Sequence, residues 1–128
     1  MKQITKRILS GEDLKKSILQ LIEDEDIRAG IVGSVVGSLE AANLRMAGGK
    51  DVKSWSGPLE VVSANGTLSK DGIHVHVSIS DKFGNVFGGH LEEGCVVRTT
   101  IELVLIVFDD AEYRRKLDPA TGYKELDL

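Results

Sequence analysis

Apolar and polar residues alternate strictly along one stretch: Ile73, Val75, Val77 and Ile79 interleave with His74, His76, Ser78 and Ser80. A period of two means a strand with one apolar and one polar face, so both histidines point away from the apolar side. Asp81-Lys82-Phe83-Gly84-Asn85 is rich in turn formers and predicts a reversal. A loop of these residues pairs Ser80 with Val86. Counting outward, His76 falls opposite His90, and His74 opposite Glu92. Directly opposed side chains share a face, with Cβ atoms roughly 4.5–5.5 Å apart. Three imidazoles and a carboxylate then gather on one polar surface. The prediction depends on register, because a slip of one residue sends His90 to the other face.

The rest of the pattern supplies a scaffold. Residues 3–9 predict a short strand. Leu14, Ile18, Leu21 and Ile22 recur at helical spacing and mark an amphipathic helix. Ser10 reads as its start, with Asp13 as a capping-box partner, and the acidic run Glu23–Asp26 as its solvated end. Ile27 to Leu39 reads as a buried strand interrupted by Gly30, Gly33 and Gly37. Their spacing is not that of a dinucleotide-binding turn, and no βαβ unit follows, so they signal close backbone packing or bulges. Ala41 to Ala47 predicts a further strand carrying Arg45, followed by a Gly48–Asp51 turn. Val52 to Trp55 reads as a short segment stopped by Gly57-Pro58, and Leu59 to Leu68 as another strand with a bulge or turn at Asn65-Gly66. Lys70-Asp71-Gly72 is a hairpin signal leading into the histidine strand. Cys95 to Phe108 is the most apolar run, and its β-branched residues favour a long strand. The polar residues from Asp109 onward predict a short helix, a short strand or an extension across a neighbour. One clear helix with roughly six to eight strands gives an α+β fold: a mostly antiparallel sheet with one N-terminal helix packed on it, in a single domain over residues 1–128.

Composition narrows the function classes. Hydrophobic content of 41% and charged content of 28% are those of an ordinary globular domain. A formal charge of −4 argues against a general nucleic-acid binder, whose affinity comes from Lys and Arg neutralising phosphates. The single cysteine excludes an intrachain disulfide and fits a reducing compartment. The start, MKQITKRILSGEDL, is too polar for a signal peptide, and the Cys95–Phe108 run is too short to span a membrane as a helix. The cytoplasm is the expected location.

The candidate chemistry centres on the histidines. Imidazole suits zinc, copper, nickel or iron. Three neutral nitrogens leave the fourth position of a tetrahedral zinc site open to water, a substrate or a partner residue, so zinc is the first expectation at His74, His76 and His90. An open zinc site activates water in hydrolases and lyases, with Glu92 as the candidate base or as the group that orients a ligand imidazole. The bland alternatives are an exposed polar strand face, histidines packed at a subunit interface, and a solvated Glu92. Cys95 opens a buried strand with no activating base nearby and reads as a structural thiol. Arg45 and Arg98 sit on apolar strands and need partners: Glu60, Glu102 or a small anion. Trp55 beside Gly57-Pro58 reads as a surface or interface aromatic.

Several segments together carry a family resemblance. Gly37-Ser38-Leu39, Gly57-Pro58-Leu59-Glu60-Val61-Val62-Ser63, His74-Val75-His76-Val77-Ser78, Gly88-Gly89-His90-Leu91 and Gly94-Cys95-Val96-Val97 occur in that order, and Thr121–Leu126 closes the series. The chain resembles the plants and prokaryotes conserved (PPC) domain over nearly its whole length. The resemblance implies an α+β fold that assembles as a homotrimer. It implies metal binding through histidines matching His74, His76 and His90, as in some prokaryotic members. Plant members pair the domain with AT-hook motifs that bind A·T-rich DNA; this chain has no Arg-Gly-Arg-Pro core, so nucleic-acid contact is not expected by that route. The plant segment Gly-Arg-Phe-Glu-Ile, used against partner proteins, corresponds to Gly57-Pro58-Leu59-Glu60-Val61 here, without the arginine and the aromatic. The expectation is a small trimeric binding or regulatory module holding a metal or small ligand, rather than an enzyme. The alternatives are a zinc-dependent hydrolase or lyase and a DNA-associated regulator.

Overall fold

A computed structural model describes residues 1–128. The elements run β1 (Lys2–Leu9), α1 (Leu14–Asp24), β2 (Gly30–Arg45), β3 (Val52–Ser69), β4 (Gly72–Ser80), β5 (Val86–Leu91), β6 (Val96–Val107), β7 (Arg114–Leu117) and β8 (Lys124–Asp127). Six strands form one sheet in the order β1-β6-β2-β3-β4-β5, with antiparallel neighbours throughout. The mostly antiparallel α+β architecture is therefore as the pattern predicts. No helix is long and apolar enough to cross a membrane.

The helix forms where the apolar spacing places it: Leu14, Ile18, Leu21 and Ile22 are its buried residues. They join a single 24-residue core with strand residues such as Ile8, Leu39, Val75, Val77, Ile79, Ile101, Leu103 and Leu105. Fully burying one such side chain is worth roughly 1.5–3 kcal/mol. The start of the helix corrects the sequence reading. Asp13, not Ser10, is the N-cap, and its carboxylate accepts the Lys16 amide at 3.0 Å. Its second oxygen accepts the Gly94 amide at 2.7 Å, so one residue caps the helix and fastens it to the β5–β6 loop. The helix also stops earlier than predicted, at Asp24. The Ile27 amide reaches back to the Ile22 carbonyl, and Asp26 takes the left-handed conformation that this C-terminal motif requires.

Two pairs of predicted strands turn out to be single long strands. The Ile27–Leu39 and Ala41–Ala47 readings fuse into β2, with a register shift between Leu39 and Ala41. The Val52–Trp55 and Leu59–Leu68 readings fuse into β3, which runs on through a cis Gly57-Pro58 peptide. Asn65-Gly66 is neither a turn nor a bulge. Asn65 pairs in register with His76 and Gly66 with Val75, while the bulge lies between Val61 and Ser63. A Cβ on Gly66 would lie 2.5 Å from the His74 carbonyl oxygen, so this glycine permits close approach of the two strands. Register shifts beside Gly33 and Gly37 in the β2–β6 pairing bear out the reading of those glycines as bulge and packing positions. Trp55 is half-buried and stacks on Phe87 at 5.5 Å, packed against the core rather than lying on the surface.

Beyond Val107 the chain forms its own two-stranded sheet, β7–β8. Asp71, in the β3–β4 turn, holds this hairpin. Its carboxylate accepts from Arg114 Nε at 2.9 Å and from the Arg115 amide at 3.0 Å. These bonds, led by the Arg115 amide, keep the Asp71 carboxyl below the usual aspartate range.

Candidate metal centre

The β4–β5 hairpin has the predicted register: Ser80 pairs with Val86 and His76 with His90. After that pair β5 leaves β4 and crosses to the end of β2, where His90 pairs with Arg45 and Leu91 with Leu44. The sheet thus closes on itself through β2, β3, β4 and β5. The closure creates one cross-strand row: Asn65 on β3, His76 on β4, His90 on β5 and Arg45 on β2. All four line the same cavity of about 940 Å³. His74, two residues before His76, adds a third imidazole to that face.

The three rings converge. Their candidate ligand atoms all lie within 4.8 Å of one another. His74 Nε2 and His76 Nε2 are 3.1 Å apart, and the ring centroids of the three histidines are separated by 4.9, 5.4 and 5.7 Å. His90 Nδ1 is buried and has no hydrogen-bond partner. Burial, then Arg45 and the two other imidazoles, holds the His90 pKa down at about 4. Burial and the neighbouring His76 also lower His74. Both rings are therefore neutral near pH 7, which is the form that offers a lone pair to a metal. Neutral nitrogens crowded to this distance, one of them orphaned in the interior, fit a borderline-soft divalent ion better than they fit each other.

Glu92 does not join them. The predicted pairing with His74 fails because β5 abandons β4 after His90, and the Glu92 amide donates instead to the Asn43 carbonyl at 3.3 Å. The Glu92 carboxylate lies between Lys15 at 3.8 Å and Arg45 at 3.9 Å. The expected arginine partners also change. Arg45 faces Glu92 and stacks over Tyr123 at 5.4 Å, and Arg98 pairs with Glu40 at 3.1 Å; neither meets Glu60 or Glu102. Cys95 is fully buried, donates to the Asn43 carbonyl at 3.4 Å, and is pushed up to about 11 by burial, as a structural thiol should be.

Sequence reasoning missed the cavity's other wall. Arg115, Tyr123, Lys124 and Glu125 line it from the β7–β8 hairpin. Their only local signal is a short polar tail with a turn-forming Asp118-Pro119-Ala120-Thr121-Gly122 segment. A second signal lies far away: Gly49 leaves room for the Tyr123 hydroxyl where any Cβ would collide with it.

Comparison with known proteins finds relatives in sequence and fold. A bifunctional protein GlmU from Synechococcus sp. (strain JA-3-3Ab) is 43% identical over 124 residues, 95% of this chain. The chain spans only about a fifth of that relative's length, as the match covers 20% of it. A hypothetical protein from Salmonella cholerae-suis is 35% identical, with a TM-score of 0.94 over 98% of this chain and 91% of that one. A metal-containing protein from Archaeoglobus fulgidus is 26% identical, with a TM-score of 0.85 over 100% of this chain and 94% of that one. The model of the Plants and Prokaryotes Conserved (PCC) domain, the PPC domain of the sequence resemblance, matches residues 1–109. With its hairpin of histidines and its closed sheet, the chain belongs to the Plants and Prokaryotes Conserved domain family.

Proposed function

We propose that the chain is a metal-binding module of the cytoplasm that holds zinc through His74, His76 and His90 and acts as a homotrimer. The observation that carries the metal reading is the convergence of three imidazoles within 4.8 Å on one side of a closed sheet. Two further points support it: the orphaned His90 Nδ1 and the likeness to a metal-containing archaeal protein. Three nitrogen donors match a zinc site with one open position; zinc held there would act as a Lewis acid toward water or a ligand oxygen. The trimer rests on the family resemblance. Val36 and Val62, exposed at 57% and 54%, are apolar surface that a second copy would cover.

Metal content of tag-free protein tests the site. Wild type is expected to carry about one zinc per chain, and His76→Ala to lose nearly all of it. Equal, near-zero metal in both would sink the reading. Analytical ultracentrifugation tests the assembly, with a monomer at micromolar concentration as the contrary result.

The cavity beside the histidines favours a second reading, a metal-dependent hydrolase or lyase. Zinc held by three histidines would leave one position for a ligand, and the cavity that the histidines line, about 940 Å³, has room for a substrate. Glu92 is not its base in this geometry, since its carboxylate sits between two cations. An activity screen on wild type and on the His74→Ala, His76→Ala, His90→Ala triple variant decides between the readings. Turnover that disappears in the variant supports the enzyme, and identical backgrounds leave the binding module.

A further inference from the structure

The chain is acidic overall, yet three cations line the histidine cavity: Arg45, Arg115 and Lys124. Two acids share the lining, and both are engaged. Asp71 accepts from Arg114 Nε and from the Arg115 amide, and Glu125 accepts from the Thr121 hydroxyl at 3.1 Å. The Arg115 guanidinium is left without a counter-charge. It donates to Thr67 Oγ1 at 2.7 Å and, at 3.4 Å, to the Lys124 carbonyl; its Nε is buried with no partner. Arg28, Arg45, Arg98 and Arg114 each lie within 4.0 Å of a carboxylate; Arg7 and Arg115 do not, and of these two Arg7 is exposed to water while Arg115 is half-buried. A half-buried guanidinium facing only neutral oxygens is costly unless an anion completes it.

The position of Arg115 gives that cost a use. Thr67, its anchor, pairs across the strands with His74, so the guanidinium stands beside the histidine cluster. Arg45 stands at the other end, opposite His90, steadied by the Tyr123 ring. We propose that the cavity takes a small oxyanion, the carboxylate or phosphate of a small molecule, recognised by Arg115 from the β7–β8 hairpin and by Arg45 from β2. The guanidinium fork matches both groups. The assignment rests on the metal reading of the same cavity, because a divalent ion held by the histidines would add positive charge to the cavity that Arg115 and Arg45 line. It also explains why the hairpin, which adds nothing to the core, is fastened over this face: it delivers the arginine.

The test uses the full chain as wild type, Arg115→Gln and Arg115→Lys, loaded with zinc, freed of excess metal and assayed for metal content. Each is titrated calorimetrically with lactate and with inorganic phosphate, and thermal melts confirm that all three fold. Equal zinc is expected in all three. Binding of one anion should weaken about tenfold or more in Arg115→Gln, with partial recovery in Arg115→Lys. Heat from lactate alone identifies a carboxylate site, and heat from phosphate alone a phosphate site. Wild type that holds zinc but binds neither anion overturns the proposal, as does Arg115→Gln binding as tightly as wild type. If no variant takes up zinc, the metal reading fails by itself. The titration on metal-free protein then decides the anion: binding that depends on Arg115 supports it, and no binding overturns it.

Discussion

At the scale of single residues, the positions that matter are those whose environment forces one chemical state. His90 is held neutral by burial and by Arg45, and its β5 neighbour Gly89 lets it sit there. A Cβ on Gly89 would lie 2.6 Å from the Arg45 carbonyl oxygen, so only glycine lets β5 cross close to β2. Cys95 is fixed in the opposite sense. It is fully buried, and its thiol is raised from about 9 to about 11. A rise of that size leaves about a hundredfold less thiolate, and burial denies reagents access as well. Native protein at pH 8 should therefore react with a disulfide reagent at least about a hundredfold more slowly than protein unfolded in guanidinium. Equal rates in the two states would show an accessible, reactive thiol. The sequence already indicated this residue's character, since nothing near Cys95 supplies a base. It could not show the surroundings of Arg115, because Thr67, 48 residues away in sequence, meets it only through long-range folding.

At the scale of elements, one joint carries more than its share. Asp13 caps α1 through the Lys16 amide and also accepts the part-buried Gly94 amide, so it ties the helix to the loop between β5 and β6. Asp13→Ala removes a cap and strands a donor, which together should lower the unfolding free energy by about 2 kcal/mol. Asp13→Asn keeps an acceptor and should cost less. Urea denaturation measures both, and a loss below about 0.5 kcal/mol for the alanine variant would deny the joint its role. Element types were legible because each follows a local period: two for β4, a helical period for α1, a β-branched run for β6. Element ends were not. Gly57-Pro58 reads locally as a stop, and the chain around Glu40 as a break between two strands, whereas pairing between β2 and β3 carries both strands through. The hairpin register was legible because Asp81 organises a compact turn, accepting the amides of Phe83 and Asn85, both at 2.9 Å. The pairing of His74 with Glu92 was not, because it depended on where β5 leaves β4, and the far end of β2 decides that.

At the scale of the whole molecule, the core and the β7–β8 hairpin are separable. All 28 buried residues lie between Ile8 and Val107. The hairpin is attached by the Asp71 bonds, the Arg115–Thr67 bond, the stacking of Arg45 on Tyr123, and the Tyr113 amide on the Arg28 carbonyl. Polar contacts of this kind, all but the part-buried Arg115–Thr67 bond at the exposed surface, contribute about 0–1 kcal/mol each. Deleting residues 114–128 should therefore leave a chain that still unfolds cooperatively, with a loss of no more than about 2 kcal/mol. The same deletion strips one wall from the cavity. His74 and His76 are already exposed, while His90 is only partly so. Modification by diethyl pyrocarbonate, followed residue by residue, should then speed up at His90 more than at the other two. A truncated chain that loses its thermal transition would make the hairpin part of the fold. A chain that stays folded with an unchanged His90 rate would mean that the hairpin does not cover the site. The expected pair of results, intact folding with faster modification, is what a wall built for access and recognition rather than for stability must give.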